Sequence, residues 1–488
     1  MSSNYREQWT AVGGHFPFHW QFCKLEDLLE NNKGIAVGVM YPGNHTTDGI
    51  PLIKVGDVKN GYIDSQPSFC ISQEVDEEYK RTRLNGSELL ITLVGNPGDC
   101  VVVEPHMAGW NVARALAVVR LRDISLREWL RYLLLSKPAK YLIDARLNTT
   151  VQKTLNLKDI RELGIPIPPE KERSFIIDII SFIERKIIIN SNINKTLEQM
   201  AQALFKSWFV DFEPVKAKIT VLEAGGSQEE ATLAAMTAIS GKDADSLAIF
   251  EREHPEKYAE LRATVELFPS TMQENEQGKI PAGWESSSLA KKIQIIGGGT
   301  PKRSESSYWE GDICWYSVKD APCDGDVFVI DTLEKITLKG LNNSSTKLLP
   351  IGTTIISARG TVGKLALTGV ETAMNQSCYG ISGLHFSGPF LTYLKVKQCV
   401  DVLKRNTHGA VFDTITTNTF ETVNITSAPK IINEKFERIV TPLFDEIKNN
   451  LIKNNYLCQF RNTLLPKLLS GEITLSETKE IAKEADYV

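Results

Sequence analysis

The chain has 488 residues, 42% of them hydrophobic, and a net charge of −5, which suits about three globular domains and is too much for one core. No run approaches the roughly 20 apolar residues that cross a bilayer. The polar opening MSSNYREQWT holds no secretory h-region, and eight scattered cysteines form no C-x-x-C pair, so a cytoplasmic setting with no metal site is expected. Charge neither supports nor excludes DNA as a ligand: residues 214–280 hold 7 Lys+Arg against 12 Asp+Glu, the whole imbalance, and the rest is balanced.

Residues 1–158 read as a strand-rich domain. Within it LLITLVGNPGDCVVV (89–103) is a strand, glycine turn and strand, and Asn111 follows in GWNVARA. Residues 159–214 hold a long helix. Positions 176, 180, 183, 187, 190, 194, 197, 201, 204 and 208 read I, I, I, I, N, N, L, A, L, W, the 4-3 seam of a coiled coil. Pro214 is expected to stop it. Residues 215–280, acidic and alanine-rich with helical patches, read as a surface insertion or linker.

Residues 281–420 read as a second strand-rich domain. TIISARGTVGKLALT (354–368) matches 89–103, and AMNQSCY puts Asn375 where the first domain has Asn111. Residues 421–488 repeat the central helix: the segment from Ile425 overlies that from Ile165 at an offset of 260 without a gap. Its seam, from 436 to 468, reads F, V, L, I, N, N, L, R, L, L and ends at Gly471, a favoured residue past a helix end. Thr441-Pro442 either starts a shorter second helix or kinks an early turn. The expected fold is α+β: two strand-rich domains separated by two long antiparallel coiled-coil helices, with an internal pseudo-two-fold repeat.

Each seam carries two asparagines where leucine or isoleucine would be more stable: Asn190 and Asn194, Asn450 and Asn454. A seam asparagine costs stability but fixes register, because its amide needs a polar partner across the interface. The midpoint of each seam falls between its two asparagines. An antiparallel pair should therefore set Asn190 against Asn454 and Asn194 against Asn450. The alternative turns Ile193 and Leu457 into the seam and the asparagines into solvent.

Catalytic constellations are missing. ARGTVGKL has short glycine spacing and Leu365 after Lys364, so it lacks the hydroxyl that would hold Mg²⁺ in a phosphate loop. NPGD (96–99) shares only two residues with the N-P-P-Y site of amino-methyltransferases. There is no H-E-x-x-H, and the seven histidines show no metal-ligand spacing. A binding or scaffolding role is favoured over a self-contained methyltransferase or nuclease. A pure coiled-coil scaffold would not need two duplicated strand-rich domains.

ALFKSWFVDFEPV (203–215), LFPSTMQENEQGKIPAGWE (267–285) and a proline-led helix ending LLPKLLSGEI together resemble the DNA-specificity subunit of type I restriction–modification enzymes, across essentially the whole chain. The acidic insertion and Pro442 are departures that leave this pattern intact. The resemblance implies a non-catalytic DNA-binding subunit of a site-specific deoxyribonuclease and adenine methyltransferase complex. Its two target-recognition domains would each read half of an asymmetric split site, with two methylation and two restriction (motor) subunits as partners and no membrane. This chain would bind no cofactor; S-adenosylmethionine, ATP and Mg²⁺ would enter through the partners. A helix of about 40 residues is about 60 Å long, enough to hold two heads about 34–36 Å apart, one duplex turn.

Base-reading candidates are Asn96, Asn111, Arg114, Asn148 and Gln152 in the first half, and Arg359, Thr361, Asn375, Gln376 and His408 in the second, since Arg, Asn and Gln can bond base edges bidentately. Lys59, Lys302, Arg303 and Lys319 are phosphate candidates. Trp208, Phe209 and Phe212, with Leu468 and Leu469, are expected either to anchor a partner subunit from the helix ends or to cap the chain's own core.

Overall fold

Runs of aliphatic and β-branched residues build the sheets, and the same layout occurs twice. The computed structural model describes residues 2–58, 61–63, 66–147, 153–275, 278–384, 387–407 and 414–473. The chain divides into two units, one made of residues up to Arg185 and from Leu457 onward, the other of Lys186–Tyr456.

In the first unit, Ile35–Val37, Leu116–Val119, Leu89–Thr92 and Cys100–Val102 form an antiparallel sheet in that order. LLIT and LAVV are buried at every position, as uninterrupted apolar runs covered on both faces must be. A second sheet sets Ile50–Ile53 between Cys70–Ile71 and Asn111–Val112, the last pair parallel. Gln21–Lys24 pairs with Gly164–Ile167.

The second unit repeats each piece. Thr354–Ser357 lies between Cys378–Gly383 and Leu365–Thr368, with Ile293–Gly297 outside. Trp309–Tyr316 runs parallel to Thr372–Met374 and antiparallel to Lys335–Ile336. Glu285–Ser288 pairs with Asn424–Ser427. One extra strand, Phe328–Val329, runs parallel to Leu365–Thr368.

The matched hairpins share their turn. Thr92 accepts from Gly98 N at 2.9 Å through its carbonyl and from Asp99 N at 2.9 Å through its hydroxyl. Ser357 does the same with Gly363 and Lys364, both at 2.8 Å. Gly98 and Gly363 have φ of 89° and 83°, a left-handed conformation that explains glycine at both places.

The two long helices span Glu170–Phe209 and Lys430–Ser470, each starting just after the matched prolines 169 and 429. The second ends at Gly471, which has φ 70°. The first ends at Phe209, before Pro214: the turn is made by Phe212 at φ 54°, and Pro214 opens the next helix, Glu213–Glu223. Pro442 neither starts nor breaks the second helix, which runs through it while the Thr441 hydroxyl bonds the Glu437 carbonyl at 2.7 Å.

Within the second unit the helices are antiparallel, because Asn190 meets Asn454, Asn194 meets Asn450, and Phe205 meets Phe436. The residues of 215–280 that read as a linker or insertion are largely folded. Gln228–Ser240, Ala244–Glu253 and Pro255–Glu266 pack around Ala235, Met236, Leu247 and Val265. Ser227 and Asp243 cap two of these helices, the N-terminal chemistry expected of such residues. A hairpin of Met272–Asn275 with Gly278–Pro281 follows.

Candidate nucleic-acid interface

In each unit backbone bonds draw four loops together. In the first unit Val39 N donates to Val112 O at 2.7 Å, Ala113 N to Ile53 O at 2.8 Å, and Leu93 N to Ala115 O at 2.8 Å. The second unit makes the same three bonds: Gly299 N to Met374 O at 2.9 Å, Asn375 N to Tyr316 O at 2.9 Å, and Ala358 N to Ser377 O at 2.7 Å. A carboxylate folds one loop of each set, Asp57 accepting from Lys54 N at 2.7 Å and Asp320 from Ser317 N at 2.8 Å. The clusters thus join residues 38–43, 54–58, 93–98 and 113–115 in one unit, and 298–303, 317–320, 358–363 and 375–377 in the other.

Strand register corrects the alignment of the two halves. Leu52 opposes Asn111, and Trp315 opposes Ala373, so Asn111 corresponds to Ala373, while Asn375 corresponds to Ala113. Asn111 is therefore no base reader. It is fully buried, donates to Asp76 Oδ1 at 2.9 Å and accepts from Thr82 Oγ1 at 2.8 Å and Val112 N at 2.9 Å. Its hydrogen-bonding capacity is used inside the protein.

The other described candidates do lie in the loop clusters. Asn96, Arg114, Arg359, Thr361 and Gln376 are exposed, and Asn375 is half-buried, its Oδ1 accepting from Ser377 N at 3.0 Å. Gln376 bonds the Thr300 hydroxyl. Lys302 and Lys319 are exposed. Arg303 is not a free cation: it pairs with Glu334, one contact at 2.9 Å, and lies 4.0 Å over the Trp309 ring. That ion pair holds Glu334 below the usual carboxylate range. Asn148, Gln152, His408 and Lys59 lie outside the described residues.

The seam asparagines are buried and satisfied. Asn190 donates to Asn454 Oδ1 at 2.9 Å, and Asn450 to Asn194 Oδ1 at 3.0 Å. The second amide of each pair reaches backbone: Asn454 donates to Ile187 O and Asn194 to Ile447 O, both at 3.3 Å. Ile187 and Ile447 are themselves related by the 260-residue repeat. Ile193 stays 42% exposed.

Trp208, Phe209 and Phe212 do not form an exposed anchor. They are buried against Phe268, Trp284 and Phe436 in the second unit's core, because the chain turns back at Phe212 and covers them. Leu468 and Leu469 are buried as well. Sequence reading missed Glu184, a buried carboxylate in the first unit, which carries no motif to mark it. It takes Arg131 Nη1 at 2.8 Å, Tyr132 OH at 3.0 Å and Arg461 Nη1 at 3.2 Å.

The family model described as type I restriction modification DNA specificity domain matches residues 17–199 and 281–455. The HindI specificity subunit of a type I restriction enzyme from Haemophilus influenzae is 32% identical over 468 residues, covering 93% of this chain and 99% of that protein. The MjaIX specificity subunit from Methanocaldococcus jannaschii is 24% identical over 473 residues, covering 95% and 96%. A type I restriction–modification S subunit from M. genitalium, solved as a crystal structure, superposes with a TM-score of 0.46 at 12% identity, over 92% of this chain and 96% of that one. The two family matches fall on the two copies of strand-rich domain plus long helix, and the chain belongs to the type I restriction–modification DNA specificity family.

Proposed function

We propose that the chain reads an asymmetric, two-part site on double-stranded DNA, each loop cluster contacting one half. As a member of its family it is a non-catalytic, DNA-recognising subunit of a type I restriction–modification complex and assembles with other subunits; a self-contained methyltransferase or nuclease is not favoured. The observation that carries the two-part reading is one framework bearing two side-chain sets. The three backbone bonds that join the loops recur in both units, yet Arg114 of the first stands where the second has Gln376, and Asn96 aligns with Thr361. Identical heads would read a palindrome, and different heads read different halves.

Asn96 and Arg114, and Arg359, Thr361, Asn375 and Gln376, are the described base-reading candidates, as Arg, Asn and Gln suit base edges in the major groove. Lys302 and Lys319 are suited to phosphates, which position without specifying. Two methylation subunits and two restriction subunits are the proposed partners, bringing S-adenosylmethionine, ATP and Mg²⁺. With Trp208 and Phe209 covered, the surface proposed for a methylation subunit is the outer side of the first long helix. Ile189, Ile193 and Met200 are exposed there at spacings of four and seven residues.

A domain exchange tests the two-part reading. Residues 281–420 are replaced by the corresponding domain of a relative with another target, and DNA methylation by the assembled complex is mapped. One half of the recognised motif should change and the other stay. A change in both halves, or in neither, rejects the assignment of one half to each unit.

A further inference from the structure

Met40 and Tyr41 stand in the first loop of the first unit's cluster, 41% and 76% exposed. The residue just before them is anchored. Val39 is fully buried, its amide bonds Val112 O at 2.7 Å, and its carbonyl accepts from Arg114 N at 2.9 Å. Gly38 permits this approach, since a Cβ there would collide with the Val112 carbonyl. Two large apolar side chains are thus presented to solvent from a fixed base, beside the exposed Arg114. Single exposed apolar residues are common; an adjacent pair within a cluster of polar and cationic groups is not explained by packing.

The second unit shows what else this position can hold. Val39 and Gly299 make the equivalent backbone bond, so Met40 corresponds to Thr300, Tyr41 to Pro301 and Arg114 to Gln376. There the Thr300 hydroxyl bonds the Gln376 amide oxygen, a polar pair on the same framework. The first unit replaces that pair with a thioether and a guanidinium, and Pro301 with a phenol ring.

Resting on the two-part reading above, we propose that Met40 and Tyr41 are specificity-determining residues that contact the 5-methyl group of a thymine in the major groove of the half-site read by the first unit. Among the bases of unmodified DNA only thymine displays a methyl group in that groove, and apolar side chains recognise it. A polarizable thioether and the body of a tyrosine ring both suit such a contact. Arg114 supplies the adjoining polar contact.

The test uses the complex with its methylation subunits and a duplex carrying the mapped site. Each half in turn is made with deoxyuridine in place of thymidine, which removes only the methyl groups. Wild type should bind one uracil-substituted half about 4-fold more weakly, the ratio expected for losing one buried methyl. The M40A/Y41A variant should lose that sensitivity and keep its response to changes in the other half, which also reports that it is folded. A variant that keeps the full uracil penalty, a wild type indifferent to uracil in both halves, or a half-site without thymine overturns the proposal. The two-part reading survives those results; the domain exchange and the mapped motif decide it separately.

Discussion

Glu184 is held by side chains from three segments: Arg131 and Tyr132 from one helix, Tyr62 from a loop, and Arg461 from the second long helix. Burial alone would raise its pKa, but Arg131, the hydrogen bonds and Arg461 outweigh this and hold it below the usual carboxylate value. The folded form therefore gains stability that is complete above the unfolded value of about 4.3 and is lost as pH falls through the lower folded value. E184Q, which removes the buried counter-charge of Arg131 and leaves it only the more exposed Glu128 at 3.3 Å, should cost about 3 kcal/mol at pH 7. In urea unfolding, the gap between wild type and E184Q should narrow as pH drops from 5 to 3; a gap that stays constant would show that the charge of Glu184 contributes nothing. At this scale sequence reading was weakest. Asn111 looked like a loop reader because its partners, Asp76 and Thr82, lie 35 and 29 residues away, and a linear pattern does not reveal that a polar residue is enclosed. Arg303 misled in the same way, its pairing with Glu334 being set by folding.

The long helices were the most legible elements, because a seam of period 3.5 constrains every position along it and a gapless repeat fixes the midpoint. The asparagine contacts follow from that symmetry alone. Their energetic role is testable. N194L removes the acceptor for Asn450 and should destabilise by about 1–3 kcal/mol, since a buried amide loses its partner. Adding N450L should recover most of that loss, giving a coupling above about 0.5 kcal/mol in a denaturation cycle. Additive losses would mean that the two amides do not act as a pair. What escaped sequence reading was local. Phe212, a bulky residue, takes a left-handed conformation that glycine usually supplies, so the turn after the first helix carried no signal. The acidic segment's three helices were faint because their shared core is small, with Ala235, Met236, Leu247 and Val265 at its centre.

The duplication gives the molecule two loop clusters and a helix pair. The outer apolar residues of that pair lead to a prediction about assembly. Ile193 is exposed and outside the asparagine seam, so I193D should leave folding almost unchanged, as surface substitutions do within about 0.5 kcal/mol, yet reduce co-purification with the methylation subunit at least 10-fold. Undiminished co-purification would move the contact elsewhere. The repeated topology was legible as an offset in the sequence; the two-residue slip between Asn111 and Asn375 was not, because register depends on which strand faces pair. In the proposed function, two different heads on one chain read two different half-sites. Base-resolution mapping of DNA methylated by the chain with its methylation subunit tests it most directly. The expected result is two short, unlike motifs separated by a spacer of fixed length and free sequence. A palindromic motif, a single continuous one, or methylation without sequence preference would contradict it.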